Sequence, residues 1–126
     1  MTDDREVGGT PDVADCVFCR IAAGEIPATV VHTDDLVVAF CDLAPRAPTH
    51  ILLIPRRHVA SAAELTEADA PMLGRLFAVA ADLARADGIA DGGYRLVTNV
   101  GQDGGQTVAH LHWHLLGGRS FDWPPG

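Results

Sequence analysis

The chain has 126 residues, 48% of them hydrophobic and 21% charged, with a formal net charge of −8. That length suits one domain with a core of its own, and no stretch approaches the ~18 consecutive apolar residues of a membrane span. All nine basic residues are arginine; a chain this acidic lacks the basic face that nucleic acid requires, and it has no lysine for a Schiff base or a Walker-type phosphate clamp.

The first fourteen residues carry Gly8, Gly9 and Pro11 without periodic apolar positions, so they read as a flexible tail ahead of a single domain over 15–126. The start is acidic and polar, opposite to a secretory signal, which makes the cytoplasm the expected location. Asp15 is placed to cap a short helix, CVFCRIAAG, ending at Gly24. TVVHT and LVVAFCDL follow Pro27, are rich in β-branched residues, and flank DD; they predict a hairpin. RAPTH reads as a loop and ILLIP as a short strand stopped by Pro55.

A long helix comes next. Thr66 is a plausible cap, acidic residues occupy the first turn, and Leu73, Leu76, Phe77, Ala80 and Leu83 recur at helical spacing until Gly88. Pro71 draws the start towards itself. YRLVTNV reads as a strand, GQDGGQT as a glycine-rich turn and VAHLHWHLL as a further strand. Strands joined by short turns favour antiparallel pairing, so the fold class is α+β.

Three cysteines in such a chain argue against a disulfide framework. Cys16 and Cys19 form a C-x-x-C unit whose spacing suits half a zinc site, a redox pair or two small residues on a helical turn. Cys41 reads as a small residue without chemistry of its own.

The histidines carry more. His110, His112 and His114 alternate, so on a strand they share one face while Leu111, Trp113 and Leu115 share the other. Three same-face positions span ~13 Å, too wide for one tetrahedral ion. The preceding glycine turn offers backbone N–H groups and the Thr107 hydroxyl to an anion. A neutral imidazole beside such a turn is a good nucleophile towards phosphorus. His32 and His58 read as an ordinary hairpin residue and a packing or capping residue, and Arg56 and Arg57 as solvated.

HLHWHLL matches the H-φ-H-φ-H-φ-φ signature (φ, apolar) of the histidine triad superfamily. From Cys16 to Gly126 the chain resembles its Hint branch, the histidine triad nucleotide-binding proteins. The segments that carry the likeness are CVFCRIAAGEIPATVVHTDDLVVAFCDLAPRAPTHILLIPRRH, YRLVTNVGQDGGQTVAHLHWHLLGG and the terminal WPPG. The resemblance implies a five-stranded antiparallel sheet with one long and one short helix, and a homodimer whose sheets join into ten strands. It implies a purine nucleoside phosphoramidase, cleaving the P–N bond of AMP conjugates through a covalent nucleotidyl-histidine intermediate.

Carried over onto this chain, the resemblance makes His112 the nucleophile and has His114 assist at the phosphate. His110 supports the site's hydrogen-bond network with His50. Asn99, Gly105 and Thr107 hold the phosphate, Asp42 the ribose hydroxyls, and Phe18, Phe40 and Leu43 wall the base. Trp123 reaches the partner's site. Relatives with both cysteines resemble a structural zinc site, which on this chain implies Cys16, Cys19, His50 and His110. Thr107 replaces the serine found after GGQ in many of these proteins, adding a methyl near the leaving group. Diadenosine polyphosphate hydrolysis, nucleotide-binding regulation with weak activity, and metal-dependent hydrolysis stand as alternatives.

Overall fold

The computed structural model describes residues 15–126; the expected tail, 1–14, lies outside them. Five strands build one sheet: β1 (Val30–Thr33), β2 (Val37–Cys41), β3 (Thr49–Pro55), β4 (Tyr94–Val97) and β5 (Trp113–Gly117). Their order is β1-β2-β3-β5-β4, and every neighbouring pair is antiparallel. With helices α1 (Val17–Ala22) and α2 (Ala70–Ala86), this is the α+β architecture expected. Among the described residues no helix is long and apolar enough to cross a membrane.

The β1–β2 hairpin turns on Asp34, whose Oδ1 accepts from Leu36 N–H (2.7 Å) and Val37 N–H (2.9 Å), an Asx turn closed by its own side chain. β3 is buried at all seven positions, as a central strand covered on both faces must be. It starts earlier than ILLIP, taking Thr49 and His50 out of the expected loop.

Thr66 caps as expected, but the turn it caps with Asp69 is a 3₁₀ turn, Glu67–Asp69, that runs into α2 at Ala70. The buried stripe of α2 is Met72, Leu76, Val79, Ala80 and Ala84. It is therefore rotated from the expected one. Ala80 and Ala84 let the helix sit close to the sheet, while Phe77 stands at the rim, edge-on to Trp113 at 5.6 Å.

The two sheet faces divide the labour. Against α2 lie Val37, Ala39, Ile51, Leu53, Trp113 and Leu115; Leu53, Leu76 and Leu115 are wholly buried, each stabilising the fold by about 2–3 kcal/mol. Against α1 lie Val38, Phe40, Leu52 and Ile54 with Phe18. The histidines stand on this second face.

Candidate active site and Cys–His cluster

Alternation holds through the HLHWHLL stretch: Leu111, Trp113 and Leu115 enter the α2 core, and the three histidines turn the other way. The strand itself is shorter than expected, because β5 begins at Trp113. The pairing of Leu53 with Trp113 is the last on that side. Two residues further along β3 stands Pro55, which has no N–H to extend the ladder.

Each ring is fixed in a specific way. His112 donates from Nδ1 to the His110 carbonyl at 2.7 Å. A carbonyl only accepts, so the proton sits on Nδ1 and the Nε2 lone pair is free. His50 Nδ1 accepts from Arg46 N–H at 3.0 Å, which leaves its proton on Nε2, donated to His114 Nδ1 at 2.8 Å. His114 in turn keeps its proton on Nε2. Asp42 Oδ2 lies 3.4 Å from His50 Nε2, and the His112 and His114 rings are 5.1 Å apart.

Burial keeps all of these rings neutral near pH 7. It pushes His114 down to about 4, aided by His112 and His50, and it lowers His112 and His50 against the opposing pull of Asp42. Phe18 lies edge-on to His112 at 5.2 Å and to Phe40 at 5.4 Å. An uncharged imidazole with one free nitrogen, walled by aromatics, has the lone pair and the neutrality that attack on an anionic electrophile requires.

The glycine turn is closed tightly. Gly105 has φ +81°, and a Cβ on Gly104 would come within 2.3 Å of the Val100 carbonyl oxygen, so glycine is required at both positions. Asn99 Nδ2 donates to Gly104 O at 2.7 Å. The N–H groups of Gly105 and Gln106 are spent on Gln102 O and Gly101 O, both at 3.0 Å. The expected N–H cradle is thus partly used up inside the loop, and Thr107 stands exposed at its end.

The structure revises several assignments. His110 does not reach His50. It donates from Nε2 to the Pro55 carbonyl at 3.0 Å, turning its Nδ1 lone pair towards Cys16 Sγ (3.3 Å) and Cys19 Sγ (3.5 Å). The fourth member of that cluster is His58, not His50, with Nδ1 3.2 Å from Cys19 Sγ. The register of β3 on β5 explains the exchange. His50 pairs with Leu116, and the same register, extended, sets His110 opposite Arg56, two residues from His58. Spacing gives no sign of the part played by His58, because it depends on the long-range register of β3 on β5. Leu43 walls nothing within this chain: it is 96% exposed, on a turn where Asp42 Oδ1 accepts from Ala44 N–H at 2.8 Å. Cys16, not Asp15, caps α1, its Sγ accepting from Cys19 N–H. Arg56 is no solvated bystander, since it donates to Asp34 O, Ala22 O and Thr33 Oγ1. Arg57 pairs with Asp69.

Cys16, Cys19, His58 and His110 each offer one donor atom, all within 4.8 Å of one another. Two thiols and two imidazoles form a set that suits zinc. His110 donating its far nitrogen to a carbonyl is how a metal-binding imidazole is ordinarily oriented. Burial, with Cys16 beside it, holds the Cys19 thiol at about 12, so Cys19 keeps its proton unless a cation draws it off.

Comparison with known proteins identifies the family. A model described as HIT domain matches residues 23–121. An uncharacterised HIT-like protein of Synechococcus elongatus is 50% identical over 112 residues, covering 89% of this chain and 97% of its own length. A HIT family hydrolase of Legionella pneumophila superposes with a TM-score of 0.87 at 51% identity, over 89% of this chain and 100% of that one. A histidine triad protein of Clostridium difficile superposes at 0.84 with 41% identity, over 89% and 97%. This chain belongs to the HIT domain family.

Proposed function

We propose that the protein is a nucleotide-directed hydrolase of the Hint type, releasing AMP and an amine from adenosine (purine nucleoside) 5′-phosphoramidates in the cytoplasm. The observation that carries this reading is the His112 tautomer: Nδ1–H is bound to the His110 carbonyl and Nε2 is left as the nucleophile. Nε2 attacks the α-phosphorus in line with the P–N bond, which breaks as the leaving nitrogen takes a proton from water and departs as the amine. The resulting nucleotidyl-imidazole is cationic, and the His110 carbonyl, still accepting from Nδ1, steadies that charge. Water then attacks phosphorus, freeing AMP and returning the neutral ring.

His114, set by His50, directs its Nε2–H at a phosphoryl oxygen. Asp42, close to His50, takes the ribose hydroxyls, Phe18 and Phe40 pack on the base, and Asn99, Gly105 and Thr107 border the phosphate. In a homodimer joined through the free edge of β4, Leu43 and the partner's C-terminal tail help to close the pocket. Cys16, Cys19, His58 and His110 would hold zinc, which makes no contact with the reacting phosphorus.

His112→Asn tests the reading. Asparagine keeps a donor near the His110 carbonyl but has no nucleophile, so phosphoramidate turnover should fall by about a thousandfold or more while AMP still binds. Turnover within tenfold of the parent protein would sink it. A dinucleotide polyphosphate assayed in parallel should be the poorer substrate.

A further inference from the structure

The sheet does not hold the backbone that carries His112. β5 enters the ladder only at Trp113, so residues 110–112 depend on other restraints. Leu111 N–H donates to Val59 O at 2.6 Å, and Thr98 Oγ1 donates to His112 O at 2.7 Å. The remaining restraint is His110, fully buried and tied at one ring nitrogen to Pro55 and at the other to the two sulfurs.

Two contacts run from this cluster to the nucleophile. The His110 carbonyl accepts the His112 Nδ1–H. Phe18 sits between Cys16 and Cys19, on the turn drawn closed by Cys19 N–H and Cys16 Sγ, and lies edge-on to both His110 (5.9 Å) and His112 (5.2 Å). Thiol sulfur is a weak donor and a weak acceptor, so the sulfur contacts alone, at 3.3 and 3.5 Å, hold the His110 ring only loosely. His58 braces that ring from its other side, edge-on at 4.9 Å. Its Nε2 is a buried nitrogen with no partner among the described residues.

We infer that Cys16, Cys19, His58 and His110 are positioning residues for His112: a thiophilic cation such as Zn²⁺ held there locks the His110 carbonyl and Phe18 against the nucleophile, and so sets the rate of turnover as well as stability. The inference rests on His112 being the nucleophile. It differs from a purely structural zinc in predicting that metal occupancy changes the tautomer of a ring that is not a ligand.

The test strips the whole chain of metal with a chelator and reloads it with Zn²⁺, following the imidazole ¹⁵N resonances of His112 at fixed pH. AMP affinity and phosphoramidate kcat and KM are measured on the same samples. The loaded protein should show well-separated protonated Nδ1 and unprotonated Nε2 signals. In the stripped protein the two should move towards each other and kcat should fall by about tenfold or more, with AMP affinity within about threefold. Added Zn²⁺ should restore both.

His58→Ala removes one donor while leaving every contact to His112 in place, and it carries the test should the stripped chain unfold. It should give the loosened spectrum at equimolar Zn²⁺ and the parent spectrum at excess. An unchanged His112 spectrum in both the folded stripped protein and the variant overturns the inference, as does unchanged kcat. A spectrum that responds to Zn²⁺ in a loaded protein that cleaves no phosphoramidate supports the positioning role and refutes the substrate assignment instead.

Discussion

Acidification should destabilise this chain before its carboxylates are neutralised. Burial holds His110 at about 4, against the ~6.5 of an exposed imidazole. Between those values the unfolded chain binds the proton and the folded chain does not, so stability is fully present above pH 6.5 and drains away as pH falls towards 4. At 1.36 kcal/mol per pH unit, His110 accounts for roughly 3 kcal/mol. His114, also at about 4, is only half-buried and solvent screens it, so it adds about 1 kcal/mol. Together these are a large part of the ~5–15 kcal/mol that holds a domain folded. Asp34 does not confuse the window. Burial opposes its ionisation, but hydrogen bonds from His32, Leu36, Arg75 and Val37 hold its carboxyl well below the usual range, and its contribution is lost only at lower pH. Urea titrations with chelator present, at half-unit steps from pH 7.5 to 4, measure the slope with metal release removed as a cause. An unfolding free energy flat to within about 0.5 kcal/mol between pH 6.5 and 4.5 would refute the reasoning, because a buried neutral His110 cannot leave stability independent of pH there.

Two further predictions concern the relay and the assembly. His50→Phe leaves Arg46 N–H and His114 Nδ1 without their partner; His114 then favours the other tautomer, and kcat should fall by about 10–100-fold. His50→Gln, which restores a donor near the position of Nε2, should recover part of it, and a parent-like kcat in the Phe variant speaks against the relay. The free edge of β4 predicts, through edge-to-edge pairing, a sedimentation mass about twice 13.3 kDa. A single-chain mass at tens of micromolar removes that pairing from the account.

What could be read from the amino acids follows a physical boundary. Element types and the two faces of the HLHWHLL stretch came from periodicity, which is a property of each segment alone. The glycine turn was legible for the same reason, since Gly105 sits at positive φ where few other residues can. Long-range register was not legible. His50 and His58 lie on either side of Pro55, and only the pairing of His50 with Leu116 sends one to His114 and the other to the cysteines. Where the β5 ladder stops was also hidden, although Pro55 is visible in the sequence, because its consequence for Leu111 depends on which strands are neighbours. The exposure of Leu43 was not legible either, because the Asp42 turn that carries it outward is a local hydrogen-bond geometry.

The alternating histidines differ because the nitrogens of each ring are committed in a different way. His110 spends Nε2–H on the Pro55 carbonyl and faces the sulfurs with Nδ1. His112 spends Nδ1–H on the His110 carbonyl and keeps Nε2. His114 accepts at Nδ1 from His50 and keeps Nε2–H. Backbone carbonyls and a fourth imidazole, not formal charges, impose this pattern, and burial keeps the rings neutral so that it persists. A lone pair beside an N–H donor, with neither ring charged, is what an attack on an anionic phosphorus centre calls for. A chain with no lysine anywhere has reached that arrangement through tautomers alone, and the same fixing of tautomers ties His112 to the Cys–His cluster through the His110 carbonyl.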